Sequence, residues 1–569
     1  MSAKILWDNV PPETGPFSPE NVLVFSTGLL TGLPLPGATR TSVNSINPQT
    51  DLFSHSVIGG FWGPELKFAG YDGIVIRGRS PDLVYIWINN DRIEIRDASR
   101  LRGKGSRETT AIIREELKQE KAQVAAIGLA GENRVCMATI DHGYSSASRM
   151  VGVTMGDKKL KAIAVRGTGD LHVAQPAELF ATCSRLRTVA YNDRALEEWA
   201  ASMYPASSEI QVDRKIGCYN CPKNCTNVIS PGDNQLFTYK CFAKDSYQFM
   251  DSREAGLGDY LYPVAREYGL DSFSTPEVIT FALKLLEAGI VTEKDFPGIP
   301  SATKERYLYL IEMITRREGI GDVLADGVYA AAHRIGKGAE AFETGTVKKL
   351  EQVTVGMDVV APHYFLMTVT GEKLSLTGID GSFPVSPLPT PEEREKFVAD
   401  WDAVPDERFK RYVLDWNSPE ELSGEAACAV TDWNETMHYI DDSLGLCAYM
   451  SSFRSQLGGG AIYHIHSLPR LVNLVTGLEL DENGLWEIAR RNRNLVRAIN
   501  VRRGMRRKDE TLPASQRTHG GHESEQKLLD EYYKFKGWNR DGIPTRETLD
   551  ILGLEYVTKD FEQRGIFPE

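Results

Sequence analysis

Three cysteines crowd into eight positions of a 569-residue chain, as Cys218-x-x-Cys221-x-x-x-Cys225 in KIGCYNCPKNCTN. The other five, at 136, 183, 241, 428 and 447, are scattered, so eight in all are too sparse for a disulfide scaffold. The run puts three thiolates on one tight loop between Gly217 and Pro222, and a fourth ligand must come from elsewhere in the chain. Zinc sites draw on paired C-x-x-C or on His spacings, and neither a second C-x-x-C nor an H-x-x-x-H is present. Iron–sulfur clusters use three close cysteines and a distant fourth. The spacing favours a cubane-type cluster, with zinc and unligated thiols as the alternatives. Cys447, in DDSLGLCAYM, stands out by its context as the fourth ligand. Cys136, Cys183 and Cys428 read as small core hydrophobes. Cys241, in TYKCFAKDSY, reads either as core packing or as a reactive or metal-binding thiolate.

Charge and hydropathy set the surroundings. With 65 Lys and Arg against 78 Asp and Glu, the net charge of −13 excludes an extended nucleic-acid footprint or a polybasic membrane anchor. A local basic patch could still dock an acidic redox partner. Apolar stretches fall short of the ~20 residues that span a bilayer, and MSAKILWDNVPPETG carries no apolar leader core, so a cytoplasmic protein without membrane insertion is expected. From Asn21 to Gly167, segments such as NVLVFSTG, GIVIRG, LVYIWIN and RIEIRD read as strands, with one helix at Glu108–Glu120. From Pro176 to Ile335 the apolar spacing turns helical, and after Glu395 it does so again, apart from Lys508–Glu525, which reads as an exposed loop. Two glycine-rich segments precede strands, Gly59-Gly60-x-x-Gly63 and Ala147-Ser148-Arg149-x-x-Gly152. Neither is a common nucleotide motif; glycines there permit close approach to a planar ligand or an anion, or simply tight turns.

These pieces occur together in one order: GGFWGPELKFAGYDGIVIRG (59–78), SRMVGVTMGDKKLKAIAVRG (148–167), CYNCPKNC (218–225), YGLDSFST (268–275), DSLGLC (442–447) and GWNRDGIPTRETLDILGL (537–554). The pattern resembles the aldehyde:ferredoxin oxidoreductase family of tungsten (or molybdenum) bis-pyranopterin enzymes over essentially the whole chain. The resemblance implies an α+β protein. A β-rich N-terminal saddle (1–168) carries the pterin cofactor; a helical domain with the cysteine cluster (169–357) and a second with the other pterin motif (358–569) cover it. It implies a [4Fe-4S] cluster on Cys218, Cys221, Cys225 and Cys447. The two pterin motifs become Arg266-x-x-Gly269-Leu270-Asp271 and Asp442-x-x-Gly445-Leu446-Cys447. A magnesium between the pterin phosphates is implied near Asn44, Asn47 and Ala147, with Gly59, Gly60 and Arg149 also against the cofactor.

Three departures from the family pattern stand out. Arg266 replaces the usual Asp or Asn, so that pterin contact must differ. Family chains usually begin with a further strand and glycine-rich loop ahead of ILWDNVPP. Cys241 stands near where aldehyde-oxidising members tend to carry a Glu, and resembles the class II benzoyl-CoA reductase branch, in which a thiolate ligates tungsten. The implied reaction is a two-electron interconversion of aldehyde and carboxylate, electrons passing to ferredoxin or an iron–sulfur partner subunit in a homo- or hetero-oligomer. The alternative substrate is an aryl-CoA ring; a non-catalytic electron-transfer subunit is the alternative of another class. Acid–base candidates are His438 and Glu435 in WNETMHYIDD and His142 in TIDHGYSS, beside Cys241.

Overall fold

The segment Leu23–Thr27 (β1) is apolar on both faces because it is buried on both, which is why VLVF runs without alternation. Leu23 and Phe25 turn to one core, while Val22 and Val24 turn to another. β1 is central in an antiparallel four-stranded sheet with Thr41–Ile46 (β2), Phe53–Ile58 (β3) and Gly73–Ile76 (β4), in the order β3-β2-β1-β4. A six-stranded sheet faces it, built from Val84–Asn89 (β5), Arg92–Asp97 (β6), Gln123–Ile127 (β7), Ile140–Asp141 (β8), Ser146–Ala147 (β9) and Leu160–Arg166 (β10). Its order is β6-β5-β10-β7-β8-β9, with only β5 and β10 parallel. The helix Trp62–Phe68 lies between the sheets, and Trp62 Nε1 donates to Ile163 O at 3.1 Å. Phe25, Ile127, Ile163 and Trp62 make a dry seam there, each such side chain contributing roughly 1.5–3 kcal/mol. The outer face of the larger sheet is closed by the helix Ser106–Leu117, close to the expected 108–120.

This structure is a computed structural model, and it describes the chain apart from residues 195–197, 199–211, 230–236, 241–244, 249, 352–360, 372–382, 385–386, 400, 402–406, 419–420, 453–461, 514–520 and 568–569. Two helical layers cover the sheets. One packs Leu257–Tyr268, Ser274–Glu287 and Thr303–Arg316 against Ala130–Val153 of the β-rich base. The other surrounds the buried helix Gly424–Leu444, against which Pro362–Thr370, Glu482–Arg502 and Gly521–Lys536 pack. The architecture is α+β, as the pattern predicts.

Two segments differ from expectation. Within Lys508–Glu525, Glu510 is fully buried on Arg497 and Tyr533, and a helix starts at Gly521. At Glu510 the polar side chain serves buried ion pairing rather than solvent. Cys136 lies in a turn rather than a strand, while Cys183 and Cys428 are buried among core side chains, as their sequence context predicts.

Candidate functional site

Each of the two Gly-Leu motifs is the end of a helix, and each is held the same way. The helices Leu257–Tyr268 and Gly424–Leu444 stop at Gly269 (φ +76°) and Gly445 (φ +78°), left-handed positions that favour glycine. Gly269 meets Gly128, the residue after β7, and Gly445 meets Gly28, the residue after β1. A Cβ on Gly128 would stand 2.3 Å from Tyr268 O, and one on Gly28 would stand 2.0 Å from Gly445 N. Backbone bonds lock both seams. Thr139 N donates to Gly269 O (2.7 Å) and Asp271 N to Met137 O (2.7 Å). Leu30 N donates to Leu444 O (2.9 Å), Arg40 N to Gly445 O (3.0 Å) and Cys447 N to Gly37 O (3.0 Å). Neither Gly28 nor Gly128 was among the expected site residues. The signal was present as a repeat, strand-Gly-Leu at 27–29 and at 127–129, opposite the two Gly-Leu motifs. Gly28→Ala and Gly128→Ala should each cost at least the ~1–3 kcal/mol of an overpacked core. Each is also expected to halve the pterin released on denaturation, measured fluorimetrically; unchanged pterin in both would separate these seams from cofactor binding.

The polar residues that open the motifs have opposite charge. Asp442 Oδ2 lies 3.0 Å from His55 Nε2, and Asn44 Nδ2 donates to His55 Nδ1 at 2.9 Å. A donor at Nδ1 puts the ring proton on Nε2, facing Asp442. These residues line a cavity of about 120 Å³ with Ser42, Tyr439 and Asn492. In the other half the helix supplies the cation. Arg266 Nε donates to Asp141 Oδ2 (3.1 Å), and its Nη2 donates to Gly143 O (2.6 Å). Burial opposes ionisation of Asp141, but Arg266, the Ser146 hydroxyl and the Gly143 N–H outweigh it and hold the carboxyl below its usual range. The residue that departs from the family pattern thus has its own counter-charge in Asp141.

Cys447 follows the Gly424–Leu444 helix, and the Cys218–Cys225 loop joins the strands Val212–Ile216 and Thr226–Ile229. Cys447 is buried and accepts a hydrogen bond from Arg40 Nη2 at 3.1 Å. The cluster loop is half-buried, and Tyr219 N donates to Gly60 O (3.3 Å), tying it to the first glycine segment. The Cys221 thiol is pushed up to about 12, first by burial and then by Cys225, Cys218 and Cys447, which are its electrostatic neighbours.

Two family models match the chain: the aldehyde ferredoxin oxidoreductase N-terminal domain over residues 1–167, and domains 2 and 3 of the same enzyme over 159–554. The chain belongs to the aldehyde ferredoxin oxidoreductase family. It is 30% identical to the tungsten-containing aldehyde ferredoxin oxidoreductases of Pyrococcus furiosus and Thermococcus kodakarensis, over 97% of this chain and 93% of each relative. A solved structure, the active-site complex BamBC of benzoyl-coenzyme A reductase with 1,5-dienoyl-CoA, is 45% identical with a TM-score of 0.93, over 100% of this chain and 94% of that one.

The residues present fit the family's cofactor. Beside the first motif, buried polar atoms lack partners among the described residues: Asn47 Nδ2, both side-chain polar atoms of Gln49, and Glu351 Oε2. Such atoms in a native interior are free to bind an ion, water or a polar ligand group. Asn47 Oδ1 is spent on Gln49 N and Thr50 N, which leaves its amide group to face outward from the turn. Arg149, in the left-handed region (φ +55°), donates through Nη1 to Glu351 O at 2.7 Å, and its backbone carbonyl accepts from Ser54. Ala147 is buried in β9, paired with Ile140. Gly59 N donates to Ser145 Oγ (2.6 Å), and Gly60 packs on His142 and Tyr144. Asn44 thus reaches the second motif through His55 and Asp442, while Arg149 has Asp271 of the first as an electrostatic neighbour.

The acid–base candidates fare differently. His142 is buried and fully bonded: Nδ1 donates to Val124 O (3.0 Å), while Nε2 accepts from Phe61 N (3.2 Å) and Trp62 N (3.1 Å). It holds the start of the Trp62–Phe68 helix as a neutral ring, lowered to about 4 by burial. Glu435 is likewise engaged, accepting from Arg493 Nε (2.9 Å), Tyr532 Oη (2.8 Å) and Lys536. Burial raises its pKa, but Arg493 and Lys536 outweigh that and bring it to about 2. Neither group is free to exchange a proton with a substrate: the first is saturated by backbone groups, the second by cations. His438 is buried on the same helix as Asp442, one turn earlier. Cys241 lies outside the described residues.

Buried neutral histidines give the fold a pH dependence. His363, fully buried with Nε2 donating to Pro384 O (3.1 Å), is also lowered to about 4 by burial. Each ring is neutral when folded and protonates in the unfolded chain below its ordinary 6.5, so its stabilisation is complete above pH 6.5 and lost between 6.5 and about 4. That interval corresponds to about 3 kcal/mol per ring. The denaturant midpoint is expected to fall from pH 7 to pH 5, and to fall less in His363→Phe; equal slopes would contradict the assignment.

Proposed function

We propose that this chain is a tungsten (or molybdenum) bis-pyranopterin oxidoreductase with a [4Fe-4S] cluster on Cys218, Cys221, Cys225 and Cys447. The reaction is a two-electron interconversion of aldehyde and carboxylate, coupled to ferredoxin or an iron–sulfur partner subunit in the cytoplasm. The observation that carries it is the approach of Cys447, from the end of the Gly424–Leu444 helix, to the cysteine loop more than two hundred residues earlier. Zinc at about 2.3 Å from each sulfur would hold the four sulfurs about 3.8 Å apart. Among the described residues, no three of His, Cys, Asp or Glu come together closely enough to share one ion. A polynuclear core takes its thiolates at wider spacing than a single zinc does. When bound, the dithiolene metal supplies two-electron redox chemistry that the cluster divides into single electrons.

The chain's own residues hold and shield this centre. Asp442 and Arg266 would face the two pterins from the helix ends. His55 keeps a proton on Nε2 beside Asp442, and Asn44 fixes that tautomer. The magnesium would sit among Asn44, Asn47 and Ala147, near the unpartnered Asn47 amide. Arg40, donating to Cys447 Sγ, would tune the potential of a cluster held there. His438 remains the acid–base candidate on the cover. The three-part division at 168 and 357 belongs to the same reading.

A second reading has a specific observation behind it. Identity to the benzoyl-CoA reductase complex, 45% over the full length, exceeds the 30% to the aldehyde enzymes. Cys241 points the same way, as a thiolate ligand with an aryl-CoA ring as the substrate. Loaded enzyme assayed with benzaldehyde and viologen dye, and separately with dienoyl-CoA and dye, decides between them. The first reading expects turnover of the aldehyde, with Cys241→Ser retaining it. The second expects dienoyl-CoA turnover alone, with Cys241→Ser changing the tungsten spectrum and losing activity.

A further inference from the structure

We propose that the outward face of the helix Pro176–Asn192 is the docking surface for an iron–sulfur electron-carrier protein with an acidic contact face. The proposal rests on the cluster assignment above and says where electrons enter or leave.

The helix is anchored by one narrow stripe. Leu179, Cys183 and Ala190 are buried in the large core, with Leu186 packed beside them. A neighbouring stripe at positions 180, 184, 187 and 191 faces solvent along its whole length. Phe180 is 71% exposed and Tyr191 66%, among the most exposed large apolar side chains described. Aromatic residues flanking an arginine are the composition of a contact core rather than of a solvated face. Arg187 lies between the two aromatics and Arg185 beside them, both exposed and neither in an ion pair among the described residues. The cation at the near end, Arg470, is instead neutralised by Glu178 at 2.7 Å. On a chain of net charge −13 an acidic partner is repelled by most of the surface and attracted here.

What lies beneath gives the face its purpose. Tyr463 is fully buried in the same core as Cys183, and Cys221 packs against that core. Its hydroxyl donates to Pro36 O at 2.8 Å, and the next residue, Gly37, accepts from Cys447 N at 3.0 Å. The Pro176–Asn192 helix thus packs on the same core as Cys447 and Cys221, two of the four expected ligands.

The test is stopped-flow reduction of the loaded, full-length enzyme by a reduced two-cluster [4Fe-4S] ferredoxin, with dithionite as the small reductant. Arg185→Glu with Arg187→Glu is expected to lower the second-order rate with ferredoxin about tenfold at low salt, the loss fading as salt screens it, and to leave the dithionite rate unchanged. Phe180→Ala with Tyr191→Ala is expected to slow ferredoxin at high salt as well. Equal ferredoxin rates in both variants, with iron content and dithionite rate intact, would overturn the docking surface alone. So would variants that lose only self-association, since the face would then join copies of this chain. An unaltered protein without a reducible cluster would overturn the docking surface and the reading beneath it.

Discussion

Cys447→Ser is expected to leave the helix Gly424–Leu444 folded and to remove the cluster. Outer-shell changes at metal sites cost 10–100-fold in affinity, so loss of a direct thiolate ligand should exceed ~100-fold, and purified protein should lack the brown chromophore and most of its iron. The residue is buried, and its N–H to Gly37 O bond is backbone, so the seam with the base does not depend on the sulfur. What is lost locally is the acceptor for Arg40. Cys428→Ser, in the core of the same helix, is the control. A buried hydroxyl without a partner costs about 1–3 kcal/mol, and iron content should not change. Iron at the wild-type level in Cys447→Ser would remove this residue from the ligand set.

The second large effect is expected at the charge pair that replaces the family's Asp or Asn. Asp141→Asn leaves the Arg266 guanidinium almost buried without its counter-ion, a change that costs about 3–5 kcal/mol. The damage should be local. Asp141 is tied to Ser106, Gly143 and Ser146 as well as to Arg266, and the backbone beside it closes the seam on Gly269–Asp271. Amide exchange at Thr139 and Asp271 should accelerate about 100-fold for each ~2.7 kcal/mol lost. Arg266→Asp alone sets two carboxylates together and should be as harmful. Asp141→Arg with Arg266→Asp restores opposite charges and should recover part of the protection. Unchanged exchange in Asp141→Asn would make the pair incidental. As pH falls, the same pair yields: stability present above the unfolded carboxylate's range is lost as pH drops through the lowered folded value of Asp141.

Much of this molecule was legible because its chemistry is local in sequence. The cysteine loop, the two Gly-Leu helix ends and the glycine segments are short patterns whose residue types follow from close approach and thiolate ligation. The strands of the base announce themselves by composition, and β1 by the absence of alternation. What was not legible depends on distant pairing. Glu435 reads as an acid–base candidate within WNETMHYIDD, and only its partners Arg493, Tyr532 and Lys536, far along the chain, reveal a buried ion-pair knot. Glu510 reads as solvated for the same reason, since a buried charge and a surface charge are the same letter. His142 looks like a proton shuttle beside Asp141 until Phe61 N, Trp62 N and Val124 O claim both nitrogens. Asp141 and His55 carry no motif of their own, and the strand-Gly-Leu repeat at Gly28 and Gly128 gains its meaning only from the helix ends those glycines meet.

Four thiols that hold one inorganic core beside a metal gripped by two pterins give the protein a composition that can be counted. Iron, tungsten, molybdenum and pterin should therefore be quantified together on anaerobically purified protein. The account predicts about four iron atoms and about one tungsten or molybdenum per chain, with pterin in twofold excess over that metal. A single zinc, or iron without either heavy metal or pterin, would contradict it.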